Sequence, residues 1–92
     1  MKALLVVVLA TGFAIGAAPP AVADEGDYLN QLQPRMAFLT GEQLLTEGFR
    51  VCRYLGAGRP SSDAIPVVMK DLNVTVSAAV DIIAAAVQEL DC

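Results

Sequence analysis

Cys52 and Cys92 are the only thiols of this 92-residue chain, and they stand 40 positions apart. Thiols so placed are not a C-x-x-C redox pair. The chain has no histidine, so the two cysteines could hold a metal only together with carboxylates or a second molecule. No metal site and no cofactor is therefore expected. The missing imidazole also removes the commonest general base and both the Ser-His-Asp and Cys-His arrangements. What remains to the two thiols is pairing. In an oxidising compartment they allow one internal bridge, which would close a loop of 41 residues. An intermolecular bridge or two free thiols are the alternatives. Closing a loop of that length is worth roughly 4 kcal/mol on chain-entropy grounds.

Ten carboxylates supply the other reactive groups. Hydrolysis by carboxylates alone needs two of them flanking a cleft, and so small a helical domain rarely builds one. Glu42, Glu47, Asp63 and Asp71 read as helix-end and solvent-facing charges. Only a converging acidic pair with a raised carboxyl pKa would point to an enzyme, so a non-enzymatic protein is expected. Arg50, Arg53 and Arg59 are the one basic grouping. The plain account pairs Arg50 with Glu47 and stacks it on Tyr54. The sharper account makes the three arginines a docking point for a carboxylate or phosphate of a partner. No phosphate-binding loop is present, because Gly56-x-Gly58 follows a helix rather than opening one. Asn73-Val74-Thr75 has the form of a glycosylation acceptor, but Thr75 is read as a helix cap.

The groups that could react must be placed by a short chain. Met1-Lys2, an apolar stretch from Ala3 to Ala18, Pro19-Pro20 and Ala21-Val22-Ala23 have the form of a secretory signal, with cleavage expected before Asp24. The apolar stretch is shorter than the roughly 20 residues of a membrane span and is interrupted by Gly12 and Gly16. Residues 1–23 are thus read as a leader and 24–92 as one domain, secreted or held in the cell envelope. Membrane contact is expected only if the leader stays attached. No cysteine stands immediately after the expected cleavage site to accept a lipid. Losing Lys2 with the leader leaves five basic and ten acidic residues, a net charge of −5, which argues against nucleic acid as a partner.

Four helical segments are expected. Asp24 to Asp27 can cap a first one carrying Tyr28, Leu29 and Leu32, stopped by Pro34. Met36-Ala37-Phe38-Leu39 follows as an apolar connector that should be buried. Thr40 and Gln43 form a capping box for a helix to about Leu55. Its apolar face is Leu44, Gly48, Val51, Cys52 and Leu55, widened by Leu45 and Phe49, and Gly56 to Pro60 ends it. Ser61-Ser62-Asp63 should cap a third helix bearing Ile65, Val68, Met69 and Leu72, with Pro66 tolerated in the first turn. Asn73 closes it. The last helix, from Thr75 or Ser77 to Leu90, should bury Val76, Ala79, Val80, Ile83, Val87 and Leu90. No run alternates with period two. The fold class is all-α: a small four-helix bundle, or three helices plus an N-terminal segment, stapled by one disulfide.

Tyr28-Leu29-x-x-Leu32, then Gly48-x-x-Val51-Cys52-x-x-Leu55-x-x-Gly58 and an Ala-rich helix ending in Cys92, resemble the small secreted mycobacterial proteins grouped as domain of unknown function 732. The likeness spans the whole of residues 24–92. It implies a compact helical fold, a Cys52–Cys92 bridge and an envelope or extracellular location, and it implies no reaction. Members tend to carry an aromatic residue before the last cysteine and a proline after it, whereas here Asp91 precedes Cys92.

The functional expectation is a secreted, non-enzymatic helical module acting through its surface on a protein or envelope component. The alternative is a carrier whose bundle core, lined by Phe38, Leu39, Met69, Ile83 and Val87, holds a small apolar or lipid ligand.

Overall fold

In a computed structural model that describes residues 23–92, Asp24 opens the first helix as its sequence suggests. Its carboxylate accepts from the Asp27 amide at 3.0 Å, and α1 runs Glu25–Leu32. The leader expected over residues 1–23 lies, Ala23 apart, outside the described residues. Tyr28 and Leu32 point into the core. The chain leaves α1 at Pro34 through tight turns, in which the Met36 amide bonds to the Leu32 carbonyl and the Leu39 amide to the Met36 carbonyl. Successive residues of a turn cannot all face one way. Met36 and Leu39 are buried, whereas Ala37 is exposed and Phe38 is 69% exposed. The connector is half buried, not wholly so.

The capping box at Thr40 and Gln43 is formed in full. The Gln43 amide donates to Thr40 Oγ1 at 3.0 Å, and the Thr40 amide donates to Gln43 Oε1 at 2.8 Å. These bonds satisfy amides that a helix start otherwise leaves orphaned. α2 then runs Gly41–Gly56 and ends where Gly58 takes a φ of 91°, a conformation glycine adopts without steric cost.

α3, Ser61–Leu72, departs from expectation at its start. The cap position is Pro60, which makes no side-chain capping bond, and Ser61, Ser62 and Asp63 fall inside the first turn. Pro66 therefore stands in the sixth helical position rather than in the first turn. It offers no amide to the Ser62 carbonyl four residues back. Both residues are exposed, so water can satisfy that oxygen. Asn73 ends α3 in the left-handed region at φ 56°, where asparagine is among the few tolerated side chains.

α4, Val76–Glu89, is capped by Thr75, whose hydroxyl accepts from the Ala78 amide at 3.2 Å. It is the central helix and packs against α1, α2 and α3, while α1 and α3 lie apart from each other. Its buried residues are Ala79, Ile82, Ile83, Ala85 and Ala86, continued by Leu90. The expected stripe is thus turned: Ile82 enters the core, and Val76, Val80 and Val87 are 53%, 44% and 45% exposed. Alanines permit the close approach of three neighbours, so α4 buries its small side and leaves three valines outside.

Both sides of α1 are tied to this helix. The Asp24 amide donates to the Glu89 carbonyl at 2.6 Å, and Arg35 pairs with Asp81 at 2.8 Å. Beyond α4, Asp91 adopts φ 61° and turns Cys92 back onto α2, where it is disulfide-bonded to Cys52. An aspartate in place of an aromatic residue suits that left-handed position. The fold is all-α, with four helices and no strand among the described residues. No described helix is long and apolar enough to cross a membrane.

Candidate functional site

Where α2 passes the end of α3, the core contains a carboxyl group. Glu47 lies between Leu44 and Val51 on the buried side of α2 and is 3% exposed. This corrects the expectation that it faces solvent. Its position three residues after Leu44 and next to Gly48 places it in the apolar stripe, and that spacing was the available signal. Glu42, Asp63 and Asp71 do lie at exposed positions.

Glu47 is not alone. Arg50 Nε approaches Glu47 Oε1 at 3.9 Å, and Arg50 Nη1 reaches Asp71 Oδ2 of α3 at 3.3 Å. Glu47 Oε2 is enclosed and accepts no hydrogen bond. Burial is the main force pushing the Glu47 carboxyl up, to about 7. A hydrogen bond shared with Asp71 and the negative charge of Asp71 raise it further, and Arg50 offsets only part of this. From α1, the Tyr28 hydroxyl donates to the Leu44 carbonyl at 2.5 Å. The Tyr28 phenol is held well above its ordinary range by burial and then by the charge of Glu47. Gly48 makes this approach possible, since a Cβ there would stand 2.6 Å from the Tyr28 hydroxyl and 2.5 Å from Leu90 Cδ1.

A buried carboxyl raised toward neutrality beside a second, exposed one resembles an acid–base pair. Its accessible member is Asp71, at the edge of a shallow depression that Gln43, Thr46 and Leu72 also line. A group that gives or takes a proton must reach within about 3 Å of its target. Glu47 also borders that depression, but it is only 3% exposed and its Oε2 is enclosed, so little of its carboxyl is open to a substrate.

The three arginines do not converge on one point. Arg50 is engaged by Asp71 and Glu47. Arg59, not Arg50, covers Tyr54: its guanidinium carbon lies 4.9 Å from the ring centroid, and its Nη1 lies 3.4 Å from the Tyr54 hydroxyl. The turn at Gly58 folds Arg59 back over the ring, which helical spacing alone would not reveal. Arg53 is exposed and makes no ion pair among the described residues.

The residues considered for an internal apolar pocket are also dispersed. Phe38 borders an open groove of about 530 Å³ with Arg35, Val74 and Asp81. Ile83 and Val87 border another, of about 430 Å³, with Ile65, Val80 and Ala84. Leu39 is packed in the core. A third gathering lies where the start of α1 meets the end of α4, and there carboxylate oxygens of Asp24, Asp27 and Glu89 come within 4.8 Å of one another. Asp27 is raised there first by its hydrogen bond to Asp24 and then by that neighbour's charge.

Fold and site together define a disulfide-closed helical domain with a buried glutamate beside an Arg50–Asp71 ion pair at one helix seam. Residues 23–92 match the family described as protein of unknown function, DUF732, and the chain belongs to that family. No curated protein and no solved structure gave a significant match.

Proposed function

We propose that this is an exported, non-enzymatic helical module that binds a protein or envelope component through its surface. The observation that carries this reading is the covalent closure of so small a bundle, together with large apolar side chains left outside it: Phe38, Val76, Val80 and Val87. A disulfide suits an oxidising compartment, and the leader-like start of the chain agrees with it. Cleavage before Asp24 would leave a cation within reach of the Glu89 carbonyl and the carboxylates of Asp24, Asp27 and Glu89. The domain would then begin at its own helix cap.

Arg53 is the arginine free to meet an acidic or phosphorylated partner, since Arg50 and Arg59 already have partners. The oxidised protein should capture a component of cell-wall extract, and Arg53→Glu should reduce that capture about tenfold while leaving the thermal midpoint unchanged, as expected of an exposed helix position. Failure to capture anything under oxidising conditions would contradict the proposal.

A second reading, a small hydrolase, is favoured by one observation, the Glu47–Asp71 pair. It is the weaker reading because the group with the raised pKa is enclosed. Hydrolytic turnover abolished by Glu47→Gln in a folded protein would establish it and overturn the binding module.

A further inference from the structure

We propose that Glu47, Asp71 and Arg50 form a proton-operated latch between α2 and α3, closed while the buried Glu47 carboxyl keeps its proton beside the Arg50–Asp71 ion pair and loosened when that proton leaves. The inference stands on the buried seam itself and does not depend on export or on any partner.

Glu47 is enclosed, and its Oε2 accepts no hydrogen bond among the described residues. A neutral carboxyl can remain there beside Asp71, whose charge Arg50 balances at 3.3 Å. When the proton passes to solvent, two carboxylates face one guanidinium. The seam then carries an excess negative charge and an ionised oxygen without a donor, which a low-dielectric site does not tolerate cheaply. The groups that face Glu47 are few. α1 brings the Tyr28 phenol, which stays neutral and spends its proton on Leu44. α2 brings Arg50, with Glu42 at the rim, and α3 brings Asp71. α4 meets this region through the apolar Leu90, opposite Gly48. Only Arg50 can compensate, and at 3.9 Å from Glu47 it sits nearer to Asp71. The relief open to the seam is to part, letting Glu47 reach the water of the depression it borders with Leu72.

The direction with pH follows from linkage. The Glu47 carboxyl, at about 7 in the fold against an ordinary value of 4.5, binds its proton more tightly when folded. The folded state is therefore favoured in acid, and this advantage is lost as pH rises from the ordinary carboxyl range through about 7.

The test uses the oxidised protein between pH 5 and pH 8. Carbon-13 NMR should show the Glu47 side-chain carboxyl titrating near neutrality. Relative to Glu47→Gln, an uncharged near-isostere of the protonated form, the wild-type unfolding equilibrium constant should rise roughly 50-fold over that range. Hydrogen exchange at Asn73 and Val74, corrected for intrinsic base catalysis, should accelerate over the same interval in wild type alone. In Asp71→Asn the Glu47 titration should move down toward the ordinary range. A Glu47 carboxyl that titrates near 4.5 in the wild-type protein overturns the latch, as does a Glu47→Gln variant that keeps the wild-type pH profile. Should Glu47→Gln fail to fold, the wild-type titration and its response to Asp71→Asn decide the question unaided.

Discussion

Removing the Cys52–Cys92 bridge, by reduction or as Cys52→Ala/Cys92→Ala, should lower the thermal midpoint by roughly 20 °C. A closed loop of 41 residues restricts the unfolded chain by roughly 4 kcal/mol. In a domain of this size each kcal/mol moves the midpoint by about 4–8 °C. The effect is large because the domain is small: a chain of about 60 residues buries only some 60% of its unfolded surface. Topology adds to it. The loop encloses α3 and α4, and its last residue anchors the end of the helix that touches all three others. Without the bridge, Leu90 loses the tether that holds it against Gly48, and the core opens first at that end. Differential scanning calorimetry with and without reductant reads the result directly. A shift below about 5 °C would mean that the packing alone sustains the fold.

Gly48 and Tyr28 should give the next largest effect. Gly48→Ala places a Cβ 2.5 Å from Leu90 Cδ1, 2.6 Å from the Tyr28 hydroxyl and 2.8 Å from Tyr28 Cζ. None of these atoms can retreat freely, because Tyr28 is fully buried and Leu90 nearly so. Overpacking of this kind costs about 1–3 kcal/mol, against about 1 kcal/mol gained in helix propensity. Tyr28→Ala empties the largest buried side chain and should cost about 4 kcal/mol. Tyr28→Phe alone should cost about 1 kcal/mol through its bond to the Leu44 carbonyl. The informative variant is the double one. Removing the hydroxyl takes away one of the three clashes, so Gly48→Ala should be less harmful in the Tyr28→Phe background than in wild type. Strict additivity of the two changes in urea titrations would show that the two residues do not meet.

Much of this architecture was readable in the residues, and the reasons are local. Thr40 with Gln43, Thr75, Asn73, Pro34 and Gly58 mark helix ends through bonds and backbone states that involve only near neighbours, so four helices could be placed without tertiary knowledge. The orientation of α4 was less accessible. It is apolar on nearly every side, and a helix with alanine and valine all round has no unique inward face until its neighbours are known. Its central place, touched by three helices, decided for Ile82 and the alanines. The burial of Glu47 is hidden for a related reason. Its place in the apolar stripe of α2 was visible, but charge argues for solvent, and only the arrival of Asp71 from α3, with Arg50 between the two carboxyls, shows what surrounds a carboxyl held inside. Arg59 reaches Tyr54 because of a turn, and a turn's path is not a periodic signal.

The measurement that bears most directly on the whole account is the intact mass of the protein recovered from outside the cell. The expected species lacks residues 1–23 and weighs two hydrogens less than its reduced sequence, because Cys52 and Cys92 are joined. A species found outside that retained its leader, or that carried two free thiols while unfolding at the same temperature, would contradict it.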